Sequence, residues 1–213
     1  MYSDVRVITP PAVEPVTVDQ ARRYCRIDSA YDDDLLAALI TTARTLAEQY
    51  CNRAFITQTL QWTMAFAQPH ASGWPFVPSG PVFVLPLWFN WADVGGSWLE
   101  LPRAPTQEIA SVALGQWNVS PDTVLTEGAD YFVDTTMQPG RFMLAQQPTN
   151  AQNHIAVQFI AGYGDAATAV PAPILTAILW IVAFLYENRG DTDAMMPKAA
   201  QLMLSPFRLV TFG

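Results

Sequence analysis

The chain has 213 residues, of which 51% are hydrophobic and only 14% charged. That composition excludes a disordered chain, which cannot bury enough apolar surface to offset its conformational entropy, and it supplies one substantial core. The net charge is −8, and the basic residues are one lysine, Lys198, and ten arginines spread along the sequence. Proteins that grip duplex DNA neutralise phosphates with clustered Lys and Arg. The nearest approach to a cluster here, Arg22, Arg23 and Arg26, is embedded among Asp19, Asp28 and Asp32. Tight DNA binding is therefore not expected.

The N-terminus, "MYSDVRVITPPAVEPVT", shows no basic segment followed by an apolar one, so the expectation is synthesis in the cytoplasm without a secretory signal. In "TVDQARRYCRID", Thr17 stands three residues before Gln20, the spacing of a capping box, and predicts a short helix over 17–27. A second helix opens at "YDDDLL", where Asp32, Asp33 and Asp34 suit the positive end of the helix dipole and its free amides. Leu35, Leu36, Leu39, Ile40, Ala43, Leu46, Ala47 and Tyr50 then recur at helical period. The three aspartates are not a calcium loop: counted from Asp32, the fifth and sixth positions are Leu36 and Ala37, where a ligand and a glycine are needed.

Past Asn52 the period changes to two. Leu60, Trp62, Met64 and Phe66 alternate with Thr59, Gln61, Thr63 and Ala65, a half-buried strand. Further strands are predicted at "SWLELP", "IASVALG", "YFVD", "RFMLA" and "HIAVQFIA", with turns at "SPD", "EGAD" and "QPGR". Strands this close, with no helix between them, pair antiparallel. Residues 67–98 break the pattern, with four tryptophans, three phenylalanines, five prolines and a single charge, Asp93. Such a segment either folds back over the sheet or forms a contact surface for another protein, with Trp74, Phe76, Phe83, Trp88 and Trp91 as anchors; a membrane-dipping loop is the remotest reading.

Residues 159–180, "FIAGYGDAATAVPAPILTAILW", resemble both a dinucleotide fingerprint and a membrane span. A pyrophosphate loop must deliver its ligand directly onto a helix N-terminus, but "DAATAVPAP" separates Gly164 from the helix, and no second strand follows. The helix itself, Pro173 to Tyr186, is about 21 Å long, too short for a hydrocarbon core of about 30 Å. The stretch reads as strand, tight turn and core helix, 171–188, ended by "ENRGD".

No site chemistry stands out. Cys25 and Cys51 are expected to be buried thiols about 20 Å apart on an antiparallel helix pair, beyond disulfide reach. With His70 and His154 they match no zinc spacing. Ser120, Ser205 and the two histidines show no local nucleophile signature. Catalytic, cofactor and metal residues are accordingly expected to be none. The expected class is α+β: a helical lobe from 1–54 and 164–213, with an antiparallel β lobe, 55–163, inserted between the second and third main helices, and a short C-terminal helix "KAAQLML" with an apolar tail, "SPFRLVTFG". That tail must bury itself, either under the core helix or on a partner.

Six fragments in order, "VITPPAVEPVTVDQARRYCRID", "DDDLLAALITTARTLAEQYCNRAFITQTLQW", "LELPRAP", "DYFVD", "FIAGYGDAATAVPAPILTAILWIVAFLYENRGD" and "LMLSPFRLV", resemble the head-tail connector (adaptor) proteins of tailed phages, prophages and gene transfer agents. The resemblance departs at 67–98, where a shorter link is usual. It implies a structural virion protein at the neck, made in the host cytoplasm, with no reaction and no membrane. Copies would form a ring, commonly of twelve, beneath the portal protein, with a stopper or other tail-proximal neck protein below and DNA passing through the lumen without tight binding. An acidic wall suits that passage. The resemblance implies portal binding by Phe207, Arg208, Leu209, Val210 and Phe212. Within the ring, Arg22, Arg23, Arg26 and Arg44 of one subunit are expected to face Asp28, Asp32 and Asp33 of the next, with ordinary intrachain pairing as the competing use. The alternatives are another neck component, such as a stopper or tail-completion protein, and, remotely, a small cytoplasmic enzyme.

Overall fold

The computed structural model describes residues 2–65, 98–116, 119–146, 148, 154–188 and 196–209. It is an α+β fold. Chain order is β1 (Tyr2–Thr9), α1 (Val18–Tyr24), α2 (Asp33–Cys51), β2 (Gln58–Ala65), β3 (Leu99–Glu100), β4 (Thr106–Gln116), β5 (Val119–Val124), β6 (Tyr131–Asp134), β7 (Arg141–Leu144), β8 (His154–Ala161), α3 (Ala172–Glu187) and α4 (Lys198–Leu204), with single 3-10 turns before α3 and after α4.

The helices share one core. The predicted stripe of α2 supplies Leu36, Ile40, Ala43 and Ala47, α3 supplies Ile174, Ala177, Ile178, Ile181 and Val182, and α4 adds Ala200 and Leu204. Each large aliphatic side chain removed from water there contributes about 1.5–3 kcal/mol. The capping box forms as expected: Gln20 N–H donates to Thr17 Oγ1 at 3.2 Å, and Thr17 N–H to Gln20 Oε1 at 2.8 Å. At α2 the expectation changes, because Asp32 makes no side-chain cap bond. Its carboxylate instead accepts the Tyr186 hydroxyl of α3 at 2.6 Å, and Asp33 pairs with Arg22 of α1 at 2.5 Å. The aspartates tie helices together in addition to suiting the dipole.

The strands form a five-stranded sheet, β1-β2-β8-β4-β5, and a three-stranded sheet, β3-β7-β6. Every ladder between strands is antiparallel, as the close spacing predicts. Both sheets bury side chains in a second core that includes Leu60, Met64, Val112, Phe142, Leu144, Val157 and Phe159. Trp62 meets Phe142 edge to face at 6.4 Å across the two sheets. Two strands were not expected from the sequence. β1 lies before the first helix and adds to the outer edge of β2. β5 contains the "SPD" that reads as a turn; as an edge strand it tolerates Pro121, whose missing donor costs no interior ladder bond.

Among the described residues no helix is long and apolar enough to cross a membrane, and α3 is 16 residues long. Cys25 and Cys51 are both free, with Cys51 fully buried. Trp74, Phe76, Phe83, Trp88 and Trp91 lie outside the described residues.

Candidate functional site

The C-terminal end of α2 is where most of the chain's distant segments meet. Asn52 takes a left-handed conformation, φ 52° and ψ 42°, and ends the helix. One turn earlier, Glu48 is buried and acts as a polar hub. Its Oε1 accepts the Phe55 N–H at 2.8 Å and the Gln58 amide at 3.1 Å, and its Oε2 accepts Arg44 Nη1 at 2.9 Å. Arg44, also buried, donates through Nε to Glu14 at 2.8 Å. Burial pushes the Glu48 carboxyl up, while the Phe55 amide and Arg44 pull it back. The hub fixes where the chain leaves the helix and enters β2.

Two more segments close on the same place. Arg103 sits at φ 65° and donates through Nη1 to the Glu48 carbonyl at 2.8 Å; burial lowers its guanidinium pKa. Ala54 N–H reaches the Ala104 carbonyl at 3.0 Å, and Gly162 N–H the Pro105 carbonyl at 2.9 Å. Tyr163 N–H then bonds the Phe55 carbonyl at 3.1 Å, and Thr57 N–H the Gly164 carbonyl at 3.0 Å. Gly162 has φ 142°, and a Cβ there would lie 2.6 Å from the Ile56 carbonyl carbon. The glycines of "GYG" are thus explained by backbone meeting backbone.

The C-terminal segment docks on this junction. Leu209 N–H donates to the Cys51 carbonyl at 2.9 Å, Arg53 Nε to the Phe207 carbonyl at 2.5 Å, and the Arg208 guanidinium lies 5.5 Å from the Tyr50 ring centroid. Phe207 packs against the helical core. Of the two places where the tail could bury itself, the part through Leu209 takes the helical core, because "SPF" forms a 3-10 turn whose carbonyls and ring find partners there. Val210 and Phe212 lie outside the described residues.

The charged set expected at a subunit boundary is largely committed within the chain. Arg22 pairs with Asp33 and Asp19, and Arg23 with Asp19; the Asp33 hydrogen bond raises the Arg22 pKa. Arg44 is buried and paired within the chain to Glu14 and Glu48, the competing intrachain use. Arg26 and Asp28 are exposed, without an ion pair among the described residues. His154 pairs with Asp122 at 3.1 Å and Ser205 bonds the Leu202 carbonyl; His70 and the Ser120 side chain lie outside the described set. Among the described residues no group of three His, Cys, Asp or Glu is placed to hold a metal.

Between β1 and the end of α2 lies a cleft of 410 Å³, walled by Val5, Val7, Pro11, Thr45, Arg53 and Arg103 among others. Arg53 and Arg103 were not singled out in the sequence as site residues. The only signal for them is their position inside "NRAFITQT" and "LELPRAP". Both donate to main-chain carbonyls; Arg53 also bonds the Tyr163 side chain, and Arg103 lies close enough to the Glu48 carboxylate for the two charges to attract.

Comparison with known proteins agrees with the resemblance. The family model for phage gp6-like head-tail connector protein matches residues 15–75, which span α1, α2 and β2. A chain from the neck of an empty GTA particle computed with C6 symmetry superposes with a TM-score of 0.71 at 19% identity, covering 98% of this chain and 96% of that one. A chain from the virion of a native gene transfer agent (GTA) particle gives 0.68 at 18% identity, covering 97% and 96%. A third, from the neck of a native GTA particle computed with C12 symmetry, gives 0.64 at 21%, covering 99% and 97%. No curated protein matches by sequence.

Proposed function

We propose that this chain is a structural protein of the neck of a phage-like particle, a head-tail connector that forms a ring under the portal and extends the DNA channel toward the tail. The observation that carries the reading is end-to-end likeness to a neck chain, over 98% of one and 96% of the other, joined to the connector model on residues 15–75. A neck computed with C12 symmetry supports a ring of twelve. The role is mechanical, and no reaction is assigned to it.

The physical features fit a load-bearing ring subunit. The buried hub at Glu48 and the backbone bonds from 54, 57, 162 and 163 lock helices to sheet, so force applied to one is passed to the other. In this reading 1–54 and 164–213 form a helical lobe and 55–163 a β lobe, with β1 lent across to the sheet. The net charge of −8 lets DNA pass a wall of its own sign without sticking. The tail is the portal contact: Phe207, Arg208 and Leu209 set its point of departure, and Val210 and Phe212 reach the portal. Trp74, Phe76, Phe83, Trp88 and Trp91 meet a neighbouring subunit or the tail-side protein, and Arg26 and Asp28 remain for subunit contact. An image of the particle neck with this chain located in it tests the reading; a neck without the chain, or with it on the tail side of a different connector, overturns it.

A further inference from the structure

The five-stranded sheet has two open edges of different chemistry. On the β1 edge is the cleft that holds Arg53 and Arg103, rimmed by Val7, which is 55% exposed. On the opposite edge, β5 ends at Val124, 68% exposed, and runs into the turn 125–130. That turn is rigid by its own bonds: Thr126 N–H to Asp130 Oδ2, Asp130 N–H to the Thr126 carbonyl and Gly128 N–H to the Tyr131 carbonyl, each 2.8 Å. Glu127, which bridges Tyr131 where the chain enters 128–130, is exposed and makes no side-chain hydrogen bond or ion pair among the described residues.

We propose that, in the ring, the turn 125–130 of one copy seats in the β1-edge cleft of the next, with Glu127 as the carboxylate received by Arg53 and Arg103. The inference rests on the ring reading above. Three observations commit the cleft to a second copy. The charges are complementary: Arg44 is spent on Glu14 and Glu48, whereas Arg53, which bonds the Phe207 carbonyl and the Tyr163 side chain, and Arg103, which bonds the Glu48 carbonyl and is attracted by the Glu48 carboxylate, keep donors to spare, since each guanidinium has five. The apolar rims match, with Val7 and Pro11 on one side and Val124 on the other. Finally, unlike patches on opposite edges of one sheet make a head-to-tail contact, the kind that closes into a ring and not into an isolated dimer. A cleft of 410 Å³ admits a turn with one acidic side chain.

The test uses the full chain in a Cys25→Ser background. Thr45→Cys, on the cleft wall, and Glu127→Cys are made as separate variants, mixed under ring-forming conditions, and treated with a short bifunctional maleimide. The mixture is expected to give cross-linked dimers, and each variant alone none. Glu127→Arg is expected to melt like the unaltered chain but to need at least tenfold more protein to form rings, with Glu127→Gln between. Unchanged assembly of Glu127→Arg, or no mixed cross-link while the unaltered chain sediments as a ring, overturns the proposal and leaves the ring reading standing. A Thr45→Cys cross-link to the portal or tail-side protein gives the cleft to that partner and overturns it as well. An unaltered chain that stays monomeric in solution and on the portal removes the ring itself.

Discussion

Arg53 Nε donates to the Phe207 carbonyl across 2.5 Å, joining residues 154 apart in sequence. Together with the bond from Leu209 N–H to the Cys51 carbonyl, it determines where the C-terminal segment leaves the helical core. Hydrogen bonds from a charged donor contribute about 1.5–3 kcal/mol. Arg53→Ala is therefore expected to lower stability by about that much and to speed exchange of the Leu209 amide, read by denaturant titration and hydrogen exchange. Unchanged exchange at Leu209 would show that the backbone bond holds the segment unaided.

The same geometry separates two truncations. Ending the chain after Leu209 keeps both bonds and is expected to leave the melting temperature unchanged while abolishing portal binding. Ending it before Pro206 removes the Phe207 carbonyl and the Leu209 amide, and is expected to destabilise the helical core. Equal melting of the two forms would mean that the docked segment adds nothing to the fold.

Glu48 is the acceptor for a buried amide, a buried Gln and a buried Arg. Glu48→Ala leaves Arg44 without one carboxylate and the Phe55 N–H without an acceptor, and breaking such a pair costs about 3–5 kcal/mol. Glu48→Gln keeps an oxygen for the amide and should lose less. Thermal denaturation of the two variants at neutral pH gives the comparison, and an alanine variant as stable as the glutamine one would remove Glu48 from the junction.

Gly162→Ala is expected to cost more than Gly128→Ala. Gly128 has φ 80° and nothing within 4 Å of an added Cβ, so only backbone strain applies, on the order of 1–2 kcal/mol. Gly162 carries strain and also a Cβ 2.5 Å from Thr57 N, which forces the main chains apart. Chemical denaturation of both variants measures the difference.

Two pH and reactivity outcomes follow from local environments. The hydrogen bond from Thr136, and then Arg141, holds the Asp134 carboxyl below its usual range. The folded chain thus binds fewer protons there than the unfolded one; the stabilisation is complete above the unfolded value of about 3.9 and drains away as pH falls through the folded value. Asp134→Asn should flatten the acid limb of a stability-pH curve. Burial pushes the Cys51 thiol up to about 11, so at pH 8 a thiol reagent should label Cys25 first and Cys51 only on unfolding.

What the sequence determined by itself was whatever depends on near neighbours. The Thr17–Gln20 box, the stripe of α2, the alternation at Leu60, Trp62 and Met64, and the prolines that open α3 are local patterns with local causes, and each became the element it predicts. The ordered fragments also pointed to the connector resemblance. Tertiary structure decided the rest. β1 is a strand because β2 offers it an edge, and the "SPD" of β5 is extended because an edge strand can spare a donor. Arg22 and Arg44 looked like free surface charge until the fold brought Asp33, Glu14 and Glu48 to them. Arg53 and Arg103 gained meaning only when segments about 50 residues apart closed on the end of α2, since a charge placed by long-range backbone contacts leaves no periodicity in the residues beside it.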